Sequence, residues 1–200
     1  MSFIDSTYFT GEINISQAST LAPLTQAITQ YEKEILISLL GYKLYSLLIA
    51  DLSEGVPQTQ IYKDLVDGAE FTHEINGEEI LLKWEGLKNT SLQSLIAYYV
   101  YYMYVERGIT SLTGTGISLP PKGKDWERVS PVNKLCDVWE RMRQLYGKIP
   151  IDYKSYGRVI ADELGVFNCD PSAYNFLLTN VDDYPDWIFT PIWNINVFGI

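Results

Sequence analysis

Residues 92–108 are the stretch of this sequence that most constrains the fold. Nearly every position carries an apolar or aromatic side chain, and five of these are tyrosines. Their spacing predicts a helix ending at Gly108, and a helix that is apolar on nearly every side must be buried on nearly every side. It is too short for the roughly 20 residues that cross a bilayer, where the tyrosine hydroxyls would also be unpaired. We therefore expect the central helix of a soluble core, capped at Asn89 or Ser91; the alternative is an ordinary amphipathic helix with surface tyrosines.

A long helical pattern precedes this stretch. It begins near Thr20 or Pro23, and proline suits a first turn because its missing N–H would have no partner there. The predicted core face consists of Leu24, Ile28, Tyr31, Ile35 and Leu39. Gly41 predicts a stop or a hinge into a second short helix. After a turn over residues 55–60, a two-turn helix is expected to close at Gly68.

Residues 69–84 carry the clearest β pattern. Apolar and polar residues alternate up to Ile75, and a second apolar run ends at Trp84. Asn76 and Gly77 between them suit the positive φ angles of a tight type I′ turn. The stretch therefore predicts a β-hairpin that must lean on the helices or on another chain.

Residues 109–131 are rich in glycine and proline and sustain no helical or strand period. A loop of this length in a compact domain is usually functional or mobile. Ser130 and Pro131 then predict the N-cap and first turn of an amphipathic helix. Its expected apolar face consists of Val132, Leu135, Val138, Trp139, Met142 and Leu145.

The ends of the chain are less regular. Residues 153–164 predict a short helix, and Asp170 is expected to cap another over residues 171–178. From residue 184 onward, prolines forbid a continuous helix while the many aromatic side chains should not be left in water. We expect an extended arm that docks in a groove. The first twenty residues predict an extended lead-in.

These patterns predict a mainly α fold, a helical bundle around the tyrosine-rich helix with one β-hairpin insertion and an extended C-terminal arm. Residues 1–165 form the predicted core domain, with the hairpin at 69–84 and the long loop at 109–131. Residues 166–200 supply a short helix and the arm. No signal peptide or membrane span is predicted, so the chain is expected to fold in a cytoplasm.

The formal net charge of −10 argues against a nucleic-acid-binding protein, because such proteins present a net basic surface to the phosphates. Residues 122–158 nevertheless carry nine basic and five acidic side chains, whereas residues 159–200 carry six acidic and no basic ones. The basic segment allows three interpretations: a local nucleic-acid contact, a solvated helix face, or one of two complementary faces on adjacent copies.

No catalytic or metal-binding pattern stands out. His73 is the sole histidine, so no second one can share a metal with it. Cys136 and Cys169 are too few for a disulfide framework. The TGTG at residues 113–116 lacks the lysine and helix of a phosphate loop, and the aspartates at 182–186 lack calcium-loop spacing. We expect no catalytic residue, no metal and no cofactor, and therefore no enzyme.

Six features in order carry a family resemblance. They are a short extended N-terminus, YEKEILISLLGYKLYSLL, the hairpin, a helix ending in YVERG, the loop ITSLTGTGISLPPKGKDWERVSP and the long amphipathic helix after it. This order resembles the head-to-tail connector (adaptor, or ring) proteins of tailed bacteriophages, nearest to those of phages infecting Bacteroides-like hosts, including the crAss-like group. The resemblance covers residues 3–165 and includes no catalytic motif; residues 166–200 depart from it.

The resemblance implies a structural virion protein of the neck, assembled in the host cytoplasm. Its copies would form a homo-oligomeric ring, a dodecamer, between the portal protein and adjacent neck or tail ring proteins. Genomic DNA would pass through the channel without sequence-specific binding, because an acidic wall repels the duplex. The expected partner contacts are Thr113, Gly114, Thr115, Gly116, Ile117, Leu119, Trp126, Arg128, Trp187, Phe189, Trp193 and Phe198. The alternative function is a small helical nucleic-acid-binding or regulatory module that uses residues 122–158.

Overall fold

A computed structural model of the protein describes residues 2–15, 21–75, 78–89, 91, 93–108, 111–113, 116–118, 132–147 and 171–192. These residues are largely helical, with short antiparallel strand pairs. The helices are α1 (Leu21–Asp51), α2 (Gln60–Asp67), α3 (Leu95–Gly108), α4 (Val132–Tyr146) and α5 (Ala173–Thr179). The strands are β1 (Leu52–Ser53), β2 (Val56–Pro57), β3 (Ala69–Ile75), β4 (Glu78–Trp84), β5 (Ser111–Thr113) and β6 (Gly116–Ser118).

Helix α1 is bent at Gly41, which has φ 77° and ψ 157°. This combination lies in a region essentially confined to glycine, so no other residue type would adopt the bend without strain. The predicted break is thereby confirmed. All five residues of the predicted core face, on the first half of α1, are buried in the hydrophobic core.

Strands β1 and β2 form a tight antiparallel pair where the sequence predicts only a turn. The Asp51 carboxylate organises the connection that follows. It accepts hydrogen bonds from the backbone N–H groups of Gln58 and Thr59 and from the Thr59 hydroxyl. These contacts fix the two residues that precede α2, whose N-cap residue Thr59 makes no side-chain capping bond. Gly68 ends α2 as predicted, with φ 100°.

Strands β3 and β4 confirm the predicted hairpin. Their register pairs Ala69 with Trp84 at one end and Ile75 with Glu78 at the other. The turn residues 76 and 77 lie outside the described residues. The register puts every second side chain of both strands on one face, as the alternation in the sequence requires.

Helix α5 covers the inner face of this hairpin. The Phe176 ring of α5 meets the Phe71 ring edge-on, with 5.5 Å between centroids, and stacks on Trp84 at 6.1 Å. His73 Nδ1 lies 2.7 Å from the Thr179 hydroxyl oxygen at the end of α5. The sole histidine therefore has a structural partner, and the hairpin leans on a helix of its own chain.

Helix α3 is buried from residue 95 to residue 102 and packs against both α1 and α4. Its predicted cap is wrong. Ser94 accepts a hydrogen bond from the Ile96 N–H at 3.1 Å and begins the helix. Asn89, with φ 46°, instead accepts a hydrogen bond from the Ser91 N–H and so closes the preceding turn. The sequence offers four capping residues within six positions, Asn89, Thr90, Ser91 and Ser94, and packing decides between them.

The α3 tyrosine hydroxyls reach carboxylates at the edge of the core. Tyr98 donates a hydrogen bond to Glu12, and Tyr99 donates one to Glu34 at 2.7 Å. Burial and the hydrogen bond to Glu12 raise the pKa of Tyr98 to about 12, although Arg141 opposes the shift. At neutral pH this hydroxyl is therefore a hydrogen-bond donor and not a base.

Helix α4 packs its apolar face against α3. Trp139 meets Tyr102 with ring centroids 4.5 Å apart. The buried residues predicted for this face are Leu135, Val138, Trp139 and Met142. Val132 and Leu145 are only partly buried, whereas Arg143 and Tyr146, which the prediction omits, are buried.

Two further boundaries differ from the prediction. Strands β5 and β6 pair within the stretch expected to contain no strand, because strands of three residues are too short to produce a period. Helix α5 begins at Ala173, and Ser172 caps it by accepting a hydrogen bond from the Asn175 N–H at 3.3 Å. Proline at position 171 is therefore outside the helix. Asp170, Ser130, Pro131 and the predicted helix over residues 153–164 lie outside the described residues.

Candidate subunit interface

The bend in α1 creates backbone acceptors that the rest of the chain satisfies. A helix interrupted at Gly41 loses the donors that its next turn would give to the preceding carbonyls. The C-terminal strap, defined as residues 184–192, supplies three donors. The hydrogen bonds run from the Ile188 N–H to the Leu40 carbonyl (3.2 Å), from the Trp187 indole N–H to the Leu39 carbonyl (2.8 Å) and from the Thr190 N–H to the Ser38 carbonyl (2.9 Å).

Two buried tyrosines hold the strap at its ends. Tyr184 donates a hydrogen bond to the Ile61 carbonyl at 2.6 Å, and Tyr146 of α4 donates one to the Thr190 carbonyl at 2.7 Å. Burial raises the pKa of both hydroxyls. They therefore stay protonated and remain donors through the neutral pH range.

Aromatic contacts complete the attachment of the strap. The Tyr174 ring lies 5.5 Å from Trp187 and 4.7 Å from Phe189, and Tyr146 lies 5.1 Å from Phe189, measured between centroids. Trp187 and Phe189 are two of the expected partner contacts, and in this structure they pack against their own chain while remaining partly exposed. The arm docks in a groove, at least as far as Ile192.

Beyond the bend, α1 presents an exposed face with little charge. We call it the distal face; its members are Tyr42, Lys43, Ser46, Leu47, Ile49 and Ala50. Tyr42 is 71% exposed and Leu47 is 42% exposed. Ile188 of the strap, 65% exposed, lies beside the bend and extends the apolar surface.

Two polar side chains of the distal face already have partners. The Lys43 ammonium lies 2.6 Å from an Asp186 carboxylate oxygen of the strap. The Ser46 hydroxyl donates a hydrogen bond to the Tyr42 carbonyl one turn earlier, at 2.8 Å. Covering this face would therefore leave few polar groups unsatisfied, which is the requirement for a contact with another protein.

The opposite end of the chain is attached to the first half of α1. The N-terminal segment, residues 2–15, is held by the Glu32 carboxylate, which is buried. This carboxylate accepts hydrogen bonds from the Ser2 hydroxyl at 2.6 Å, the Phe3 N–H at 3.0 Å and the Ile4 N–H at 3.3 Å. Burial raises the pKa of Glu32, and the three donors oppose that rise.

A groove of about 500 Å³ lies between the connection that precedes α3 and the exposed side of α4. Its lining combines apolar residues, among them Trp84, Leu95, Leu145 and Pro171, with the polar side chains of Glu85, Asn89, Gln93, Glu140, Arg141 and Gln144. Such a lining can accept polar or cationic groups of a partner. Within the described residues, no group of three or more His, Cys, Asp and Glu side chains is placed to hold a metal ion.

The other expected partner contacts fall largely outside the described residues. Thr113 and Gly116 are paired across β5 and β6, as are Leu112 and Ile117. Outside the described residues lie Gly114, Thr115, Leu119, Trp126, Arg128, Trp193 and Phe198. Trp187 and Phe189 are thus the expected contacts whose side chains can be placed.

Two basic residues of the predicted nucleic-acid segment have intrachain contacts. The Lys134 ammonium sits over the Tyr101 ring, 5.2 Å from its centroid. Arg143 is buried, which lowers the pKa of its guanidinium, and one of its nitrogens lies 3.4 Å from a Glu140 oxygen. A buried guanidinium cannot reach a phosphate at the surface.

Sequence reasoning missed Glu32 and the distal face. Glu32 lies between Tyr31 and Ile35 of the core face, so its position on a buried side of α1 was a usable signal. For the distal face, the signal is that residues 35–50 contain one charged residue, Lys43. A helix of that composition needs cover on both sides.

A family model described as "Family of unknown function (DUF6712)" matches residues 36–119. The match spans less than half of the chain and includes the bend, the distal face, the hairpin and α3. No curated protein and no solved structure matches the chain. Among the helices described, none combines the length and the apolar character needed to cross a bilayer.

Proposed function

We propose that this protein is a structural, non-enzymatic virion subunit, a head-to-tail connector that forms a ring under the portal and extends the DNA channel. The distal face is the observation that carries the proposal. A chain with 25 acidic and 15 basic residues exposes a helical face there with one charge. Exposed apolar surface of this kind is typical of contacts between proteins. The order of elements, which resembles connector proteins, supports the same function.

In this proposal the helical bundle around α3 is the body of each subunit, and the hairpin and residues 184–192 pack on that body. A ring of identical copies needs a heterologous contact, in which one patch meets a different patch on the next copy. The distal face is one such patch. The proposed partners are further copies in a dodecameric ring, the portal protein and the adjacent neck or tail rings.

The charge of the chain is compatible with a channel wall. A net charge of −10 repels the duplex, so DNA would pass without being held. The alternative, a nucleic-acid-binding module, needs free basic side chains in residues 122–158. Of the three basic residues of this segment that the structure describes, Arg143 is buried, Lys134 lies over the Tyr101 ring and Arg141 is exposed.

Native mass spectrometry and negative-stain microscopy of the full chain, alone and with the portal protein of the same virion, test the proposal. Closed rings are expected in at least one condition. Leu47→Glu should abolish them, because it places a charge in the apolar contact. The matched control is Leu81→Glu at a 66% exposed position on the outer face of the hairpin, which should leave the rings intact.

A chain that stays monomeric in both conditions would contradict the connector. A gel shift with short duplex DNA separates the alternative. Binding that weakens steeply as salt rises would favour the nucleic-acid module, since phosphate contacts release counterions.

A further inference from the structure

Most side chains of the distal face stay exposed within the described part of the chain, although Asp186 of the strap reaches its edge through the contact with Lys43. Ile188 reaches the bend beside Gly41, and residues 42–50 continue beyond that point. The face offers mainly apolar atoms, and its Lys43 and Ser46 side chains already have partners. Its occupant should therefore be apolar and uncharged, because a charged segment would lose its hydration without gaining a partner.

The course of the strap indicates where the chain goes next. Ile188 bonds to Leu40 and Thr190 bonds to Ser38, so the strap runs antiparallel to α1. Each step along the strap leads away from the distal face and toward the start of the helix. After Ile192, the chain of one copy is heading away from its own distal face.

The sequence after Ile192 has the character that the distal face requires. Residues 193–200 read WNINVFGI and contain no charged side chain. Apolar side chains occupy positions 193, 195 and 197 in alternation with asparagines, so an extended chain would place the three on one side. Fully extended, eight residues reach about 26 Å, which is enough to cross to a neighbouring molecule.

We propose that residues 193–200 of one copy dock on the distal face of the next copy. The inference rests on the proposed ring and names the two patches that close it. Docking on the same copy would require the chain to reverse direction immediately after Ile192, whereas docking on a neighbour lets it continue along its course. The contact joins unlike patches, tail to distal face, as closure into a ring demands.

Disulfide trapping between two different full-length chains tests the contact. Both chains carry Cys136→Ser and Cys169→Ser; one adds Ala50→Cys on the distal face, and the other adds Asn196→Cys in the tail. Mixed under mild oxidation, they should form a covalent dimer, since docking brings the two Cα atoms within the roughly 7 Å that a disulfide spans. The matched control, Thr72→Cys on the exposed face of the hairpin, should give no dimer with the tail variant.

A second measurement uses the otherwise native chain. Ile195→Asp should weaken ring association by roughly tenfold or more, because it carries a charge into an apolar contact. Circular dichroism and the melting temperature should stay unchanged, since the substitution lies outside the core that the structure describes.

The outcomes separate this inference from the proposed function. Rings that form without the covalent dimer, or that tolerate Ile195→Asp, would overturn the tail contact and leave the connector standing. A single chain carrying both Ala50→Cys and Asn196→Cys that closes an intrachain disulfide would show the tail folding back on its own copy, which also overturns the inference. Absence of rings, with no covalent dimer, would remove both proposals.

Discussion

The two ends of the described chain are both attached to α1, but by different chemistry. The N-terminal segment is held by one buried side chain, the Glu32 carboxylate, which accepts backbone and hydroxyl hydrogen bonds. The C-terminal strap is held by backbone carbonyls that the bend at Gly41 leaves available. A carboxylate titrates in the accessible pH range and a carbonyl does not. The first attachment should therefore respond to pH, and the second to the geometry of the bend.

The largest effect is expected for Gly41→Ala. An alanine here would have to adopt φ 77°, and its Cβ atom would lie 2.9 Å from the Ile188 Cβ atom and 3.1 Å from the Ile188 carbonyl oxygen. Strain and collision together should lower the free energy of unfolding by about 3 kcal/mol. Gly11→Ala is the control, because Gly11 also has positive φ (58°) but open space around it, and should cost about 1 kcal/mol. Equal losses in chemical denaturation would disprove the link between bend and strap.

Substitutions of Trp187 test how the C-terminal strap is attached to α1. Trp187→Phe keeps a ring against Tyr174 but removes the indole donor to the Leu39 carbonyl, and should cost about 1 kcal/mol. Trp187→Ala also removes the ring contacts and should cost about 3 kcal/mol. The loss should be the same at pH 5 and pH 8, since neither partner titrates. A strongly pH-dependent loss would show that the strap is not held as described.

Glu32→Gln tests the N-terminal attachment through its pH dependence. Burial raises the pKa of Glu32 above 4.5, the ordinary value, so the folded chain keeps this proton to a higher pH than the unfolded chain does. The native protein should therefore lose stability relative to Glu32→Gln as pH rises from about 4.5 to the raised value, and stay level below that window. Urea denaturation at several pH values measures the difference. A difference that grows in favour of the native chain as pH rises would contradict the sign.

The smallest effects are expected from single hydroxyls. Tyr146→Phe removes the donor to the Thr190 carbonyl of the strap, and Tyr98→Phe removes the donor to Glu12 in the N-terminal segment. Each should cost about 1 kcal/mol in thermal or chemical unfolding. Hydrogen exchange should locate each loosening, in the strap for the first variant and in the N-terminal segment for the second. Loosening of both segments by one variant would argue that the two attachments are coupled.

Local features of the fold were predictable because their causes are local. The hairpin follows from alternation on either side of Asn76 and Gly77, and the break in α1 follows from a single glycine. The start of α3 was not predictable, since Ser94 competes with three earlier capping residues. N-cap propensity does not distinguish among these residues. The burial of Leu95 and of the residues after it decides where the helix begins.

Most of the candidate interface depends on contacts between distant residues, and no local pattern encodes those. The partner of Glu32 is Phe3, 29 residues away, and the partner of Trp187 is Leu39, 148 residues away. Residues 184–192 of the aromatic tail pack against their own chain, and the composition of the tail does not say where. The distal face differs in this respect. Its apolar sequence indicates a buried surface, yet Tyr42, Leu47 and Ile49 are exposed among the described residues.

The bend at Gly41 also affects the order in which parts of the chain fold during synthesis. Leu39 leaves the ribosome 148 residues before Trp187, a delay of roughly ten seconds at ordinary rates of synthesis. Closing so long a loop is entropically costly, so the strap should be among the last parts to settle. Until it does, the carbonyls before the bend are hydrated. A nascent or prematurely terminated chain would thus present an open site at the bend of α1, which closes only once residues 184–192 have been made.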